Sequence, residues 1–120
     1  MIKLRNILLT GLLVALCSCE SNTFEDIEAD VIQDGEITYN DNVKAIIDNN
    51  CISCHAPGGV ASFTPLTTYT EVRFAVENKG LLNRIQRQNG EDGQMPPMGR
   101  MPMNNIDQIL QWAENGLPEN

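Results

Sequence analysis

Cys51-Ile52-Ser53-Cys54-His55 is the stretch from which the rest of this 120-residue chain takes its sense. Two cysteines separated by two residues and followed at once by histidine form the attachment pattern of a c-type haem. The spacing has a chemical reason. Two thiols on one tight turn can each add to one of two neighbouring vinyl groups on a haem edge. The histidine that follows then falls beneath the iron. Cys51 and Cys54 would become thioethers, and His55 the proximal axial ligand through a ring nitrogen. His55 is the only histidine in the chain, so no other imidazole competes for that role.

Other readings of a Cys-x-x-Cys pair fit less well. A thiol-disulfide redox pair belongs in a βαβ context, and no strand-rich pattern surrounds this one. A structural zinc site needs four ligands, and no Cys or His follows His55 to complete it, so carboxylates would have to. A simple disulfide is the remaining alternative.

Upstream, Lys3 and Arg5 precede an apolar run from Ile7 to Leu16, broken only by Thr10 and Gly11. A charged start with a short apolar core is the layout of an export signal, and the run is too short for a permanent bilayer span. Leu16-Cys17-Ser18-Cys19 follows and resembles the lipobox of bacterial lipoproteins. Small Ser18 before Cys19 makes Cys19 the expected lipidated residue, whereas bulky Leu16 before Cys17 fits poorly. Residues 1–18 are therefore read as a lipoprotein signal peptide. The four cysteines are then all allotted: Cys17 leaves with the signal, Cys19 takes lipid, and Cys51 and Cys54 take haem. None is left for a disulfide framework, although export would permit one. Export also suits the haem motif, since bacteria attach haem to such motifs outside the cytoplasm.

The balance of charge narrows the partners. The chain has eight basic side chains, two of them in the signal, against sixteen acidic ones. This excess of acid argues against nucleic acid and against electrostatic adsorption to anionic lipid. Membrane attachment is expected through the lipid anchor alone. Between Glu20 and Glu36 there are seven acidic residues and no basic ones, with few apolar side chains. Residues 19–38 are read as an acidic flexible tether, with the apolar pattern of a domain setting in near Ile37.

Within residues 39–120 the periodicity is helical. Asn40 or Asp41 can cap a first helix carrying Val43, Ile46 and Ile47 on one face, with Lys44 and Asp48 paired on the other. Asn49-Asn50 ends it directly into Cys51. Ala56-Pro57-Gly58-Gly59 makes a turn, and the carbonyl of Pro57 or Pro65 is a candidate acceptor for the second nitrogen of His55. Phe63 and Leu66 are apolar residues in reach of the motif. Thr68 or Thr70 caps a second helix through about Asn78, with Tyr69, Val72, Ala75 and Val76 inward, and Gly80 breaks it. Leu81, Leu82 and Ile85 mark a short helix on which Arg84 and Arg87 either meet a carboxylate, such as a haem propionate, or form a solvated basic face. Residues 88–94 form a polar, Gly-rich loop. A last helix starts at Asn104 or Asn105, with Ile106, Ile109, Leu110 and Ala113 inward and Trp112 close to the same side. Gly116 and Pro118 end it.

Before that helix stands Met95-Pro96-Pro97-Met98-Gly99-Arg100-Met101-Pro102-Met103, which holds four of the chain's five methionines. A thioether on a loop stiffened by prolines suits a distal iron ligand, because little entropy is lost in fixing the sulfur. One ligand is expected, with the other methionines in packing or at the surface.

From about Tyr39 to Pro118 the chain resembles a monohaem cytochrome c of the class I type. A helix running into Cys51-x-x-Cys54-His55, the Met95-Pro96-Pro97 loop, and a closing helix with Trp112 before Asn115-Gly116 carry the likeness. The resemblance implies an all-α fold of three to four short helices around one covalently attached haem c. It places the distal ligand at Met95, the methionine before the first proline, with Met101 as second choice. The surplus of Met98, Met101 and Met103 departs from the family pattern. A domain this small is marginal on its own burial, and a covalent apolar cofactor would supply missing core.

The expected function is one-electron transfer, not catalysis, by a lipid-tethered exported protein on the periplasmic side of a membrane or in the cell envelope, serving redox partner proteins. Histidine–methionine ligation closes both axial positions, and no acid, base and nucleophile set stands ready for an enzyme. An open or exchangeable distal site would instead make a haem sensor or peroxidase-like module. A haem-free thiol or zinc module, or a plain lipoprotein interaction domain, are readings from other classes.

Overall fold

A computed structural model describes residues 35–120. The signal peptide, Cys19 and the tether up to Asp34 lie outside the described residues. Those described form five α-helices preceded by a π-helical turn, and among them there is no strand. The all-α expectation is met at that level.

The packed chain begins at Ile37 and Thr38, both buried, so the last residues assigned to the tether belong to the domain. The first helix starts earlier than Asn40 or Asp41. Thr38 caps a π-helical turn, Tyr39–Val43, its hydroxyl accepting from the Asp41 N–H at 3.3 Å. The wider turn brings Tyr39 inside as well as Val43. It runs without interruption into α1, Lys44–Asn50, which buries Ile46 and Ile47 and carries the expected exposed Lys44–Asp48 ion pair.

The Cys-x-x-Cys-His stretch makes its own helical turn, α2, Ile52–His55. That turn is what raises the helix number above four. A loop then leads to α3, Tyr69–Asn78. Its cap is Thr68, one of the two expected, and the structure makes it a capping box: the Glu71 N–H donates to the Thr68 hydroxyl, and the Thr68 N–H donates to the Glu71 carboxylate. Gly80, with φ of 68°, reverses the chain into α4, Leu81–Gln86. The closing helix α5, Met103–Glu114, starts one to two residues before the expected Asn104 or Asn105, behind Pro102. Proline supplies no N–H and presets its own φ, so it stands well just before a helix.

The core is made where α5 packs on the π-helical turn and α4 packs on α3 and α5. Val43, Ile47, Val72, Ile106, Ile109 and Trp112 are its most deeply buried members. Tyr39, Tyr69 and Trp112 pack as a tilted aromatic trio with centroids 5.4 to 6.4 Å apart. Trp112 is thus a core residue, and its indole N–H donates to the Pro118 carbonyl at 2.8 Å. The same carbonyl accepts from the Tyr39 N–H at 2.9 Å, and the Glu119 carbonyl accepts from the Asn40 N–H at 3.0 Å. The C-terminal tail so satisfies amide groups that the start of a helix leaves without intrahelical partners.

Candidate haem-attachment site

The attachment turn is assembled by backbone bonds at both of its ends. The Cys51 N–H closes α1 on the Ile47 carbonyl at 2.8 Å, and the Cys51 carbonyl accepts from the His55 N–H at 3.0 Å. Downstream, the loop folds back on the motif. The Ala61 N–H donates to the Cys54 carbonyl, and the Leu66 N–H to the His55 carbonyl, each at 2.9 Å. Gly59 lies hard against this turn: a Cβ there would stand 2.2 Å from the Cys54 carbonyl oxygen. The Gly58-Gly59 pair therefore serves the turn, and Gly59 also admits close backbone contact.

His55 is half-buried, and its Nδ1 lies 2.7 Å from the carbonyl oxygen of Thr64. A carbonyl only accepts, so Nδ1 is the donor, and in the neutral ring this leaves Nε2 as the nitrogen with the lone pair. The acceptor is thus Thr64, neither Pro57 nor Pro65. An imidazole held in this way is oriented and biased toward metal binding through Nε2.

Cys51 and Cys54 are both free thiols and half-buried, with Cys51 packed against the core. Burial pushes the Cys51 thiol up to about 11, and the neighbouring Cys54 adds to the rise. Such a thiol is protonated at neutral pH, the opposite of what a thiol-disulfide nucleophile requires. Among the described residues, no group of three or more His, Cys, Asp and Glu side chains converges to hold a metal ion.

The methionines fall into distinct environments. Met95 is half-buried at the base of the loop between α4 and α5, joined to Pro96 by a cis peptide, and its N–H donates to the Arg84 carbonyl at 3.1 Å. Met98 is 97% exposed, within a turn in which the Gly99 N–H reaches the Pro96 carbonyl. Met101 is sunk in the hydrophobic core at 5% exposure, and Met103 is exposed on the first turn of α5.

Several neighbouring residues take definite places. Leu66 joins the core, while Phe63 is 84% exposed. Arg84 and Arg87 bind loop carbonyls: Arg84 Nη1 donates to Gly93 at 3.3 Å and Arg87 Nη1 to Asp92. The polar loop is thereby fastened to α4, a role its composition did not announce. Gln94 within it is buried, which a run of polar residues gives no sign of.

No protein-family model, curated protein or solved structure matches this chain. Among the described residues, no helix is long and apolar enough to cross a membrane.

Proposed function

We propose that this protein is a monohaem c-type electron carrier. Cys51 and Cys54 are the thioether residues, His55 is the proximal ligand and Met95 the distal one. The observation that carries the reading is the His55–Thr64 contact on the turn that also bears both cysteines. It supplies an oriented imidazole with Nε2 available beside two thiols at attachment spacing. The donor set fits a haem: two thiols for addition to vinyl groups, one imidazole and one thioether. When bound, a haem iron between histidine and methionine exchanges one electron between Fe(II) and Fe(III) with little change in ligation.

The chain's own part is to hold these groups still. The 56–66 loop orients His55, α1 presents Cys51 at its end, and α4 anchors the backbone of Met95. The high Cys51 value weighs against thiol-disulfide exchange. In the full proposal the protein is exported, anchored by lipid on Cys19 in the periplasm or cell envelope, and exchanges electrons with partner proteins.

The test is an absorption spectrum, oxidised and reduced, of protein matured in an exporting host with haem-attachment machinery, followed by acid-acetone extraction. Haem that stays with the polypeptide, with a low-spin spectrum and the weak far-red methionine–iron band when oxidised, is expected. Colourless protein would overturn the proposal. Ready carbon monoxide binding to the ferrous protein would move it to the open-site reading.

A further inference from the structure

Gln94 is one of two buried polar residues among those described, at 7% exposure. Each polar atom of its amide has a partner. Its Oε1 accepts from the Gly90 N–H at 2.9 Å, while its Nε2 donates to the Pro96 carbonyl at 3.1 Å and to Asn89 Oδ1 at 3.2 Å. The same Asn89 oxygen accepts from the Arg100 N–H at 2.8 Å. Two side-chain amides thus tie three separated points of backbone, at Gly90, Pro96 and Arg100. Gly90 and Arg100 lie on either side of the Met95–Gly99 loop, and Pro96 lies within it. With the Met95 N–H on the Arg84 carbonyl, the backbone is held at the methionine and directly after it.

We infer that Gln94, oriented by Asn89, is a positioning residue that holds the Met95 thioether in place as an iron ligand and resists its displacement. This rests on the haem reading with Met95 as distal ligand. The physical argument is one of reorganisation. A methionine ligand is displaced most easily where the backbone beside it can yield with the sulfur, here the Pro96 side of the loop. Moving it breaks the Gln94 Nε2–Pro96 bond inside the protein, where an amide left without a partner is costly. Met98 stands exposed to solvent, and Met101 is committed to the core.

The experiment compares holoprotein of wild type, Gln94→Leu and Asn89→Ala, matured in the same exporting host. The readouts are the far-red methionine–iron band of the ferric form and its affinity for added imidazole. Gln94→Leu keeps the volume but loses every amide bond, and Asn89 is exposed, so its truncation spares the core should Gln94→Leu fail to accumulate. Both variants are expected to retain covalent haem, to weaken the band, and to bind imidazole roughly tenfold more tightly, the scale of one lost hydrogen bond. Wild-type band and imidazole affinity in the variants, even with a lowered melting temperature, would overturn the inference and leave Gln94 a purely structural residue. Wild-type protein without covalent haem would instead overturn the haem proposal itself. Wild-type protein that binds haem without the methionine band would overturn the assignment of Met95 and this inference with it.

Discussion

His55 Nδ1 and the Thr64 carbonyl oxygen stand 2.7 Å apart, joined across a nine-residue loop that returns to the turn it left. That single bond ties the side chain following the two cysteines to the far end of the loop. Since the acceptor is backbone, the orientation of the imidazole depends on the path of residues 56–66 more than on any side chain there.

Gly59 should be the most sensitive position on that path. An alanine Cβ would collide with the backbone carbonyl of Cys54, which cannot rotate aside as a side chain could, so the turn itself must shift. Gly59→Ala is expected to destabilise the protein by about 1–3 kcal/mol, the usual cost of overpacking, and to lower the yield of covalent haem. Thermal melts and the haem-to-protein ratio check both. Gly58→Ala meets no neighbouring atom, although its φ of 87° adds backbone strain, so it should disturb haem attachment less.

Met95 and Met101 should separate ligation from packing. Met95→Ala is expected to abolish the far-red band and open the iron to carbon monoxide with a modest loss of stability. Met101→Ala, which empties a core position, should cost about 2–5 kcal/mol and keep the band. The reverse pattern would exchange their roles.

Trp112→Phe removes the indole N–H that shares the Pro118 carbonyl with the Tyr39 amide. It should lower stability by about 1–3 kcal/mol through lost packing and the lost bond, measured by denaturant unfolding. The haem spectrum should not change, because Trp112 sits in the aromatic core. A shifted reduction potential in this variant would speak for an electronic role.

Glu71 gives a pH signature. The Thr67 hydroxyl donating to its carboxylate holds it below the usual glutamate range; slight desolvation opposes this, and the amide groups of Thr67 and Thr68 add to the lowering. The folded value is lower than the unfolded one. The resulting stabilisation is therefore complete above the ordinary glutamate value, about 4.3, and is lost as pH falls through the folded value. Wild type and Glu71→Gln should differ in melting temperature at neutral pH and converge at the acid end. Thr68→Ala, which removes the other half of the box, should cost about 1 kcal/mol.

Helices were legible wherever the signal is local. A threonine cap for α3, the Gly80 break and the inward faces of α3 and α5 follow from side-chain spacing and from what glycine and capping residues do to the neighbouring backbone. The start of the first helix was less legible, because the amides of the buried Tyr39 and of Asn40 are bound by the tail at Pro118 and Glu119, at the other end of the domain's sequence. Arg84 and Arg87 carried two open readings, and their loop carbonyl partners appear only once the 88–94 loop has closed on α4.

The local order of residues was enough to set out an all-α chain, to place the two thiols and the imidazole on one turn, and to name the methionines that compete for one role. Each of those depends on neighbours within a few positions. Folding alone decided that Thr64 accepts from His55, that Met101 goes into the core while Met98 stays in water, and that Gln94 is buried between Gly90, Asn89 and Pro96. A backbone carbonyl has the same chemistry at every position, and methionine and glutamine are each at home inside or outside. Only the packing of the whole domain settles which of them meets which partner.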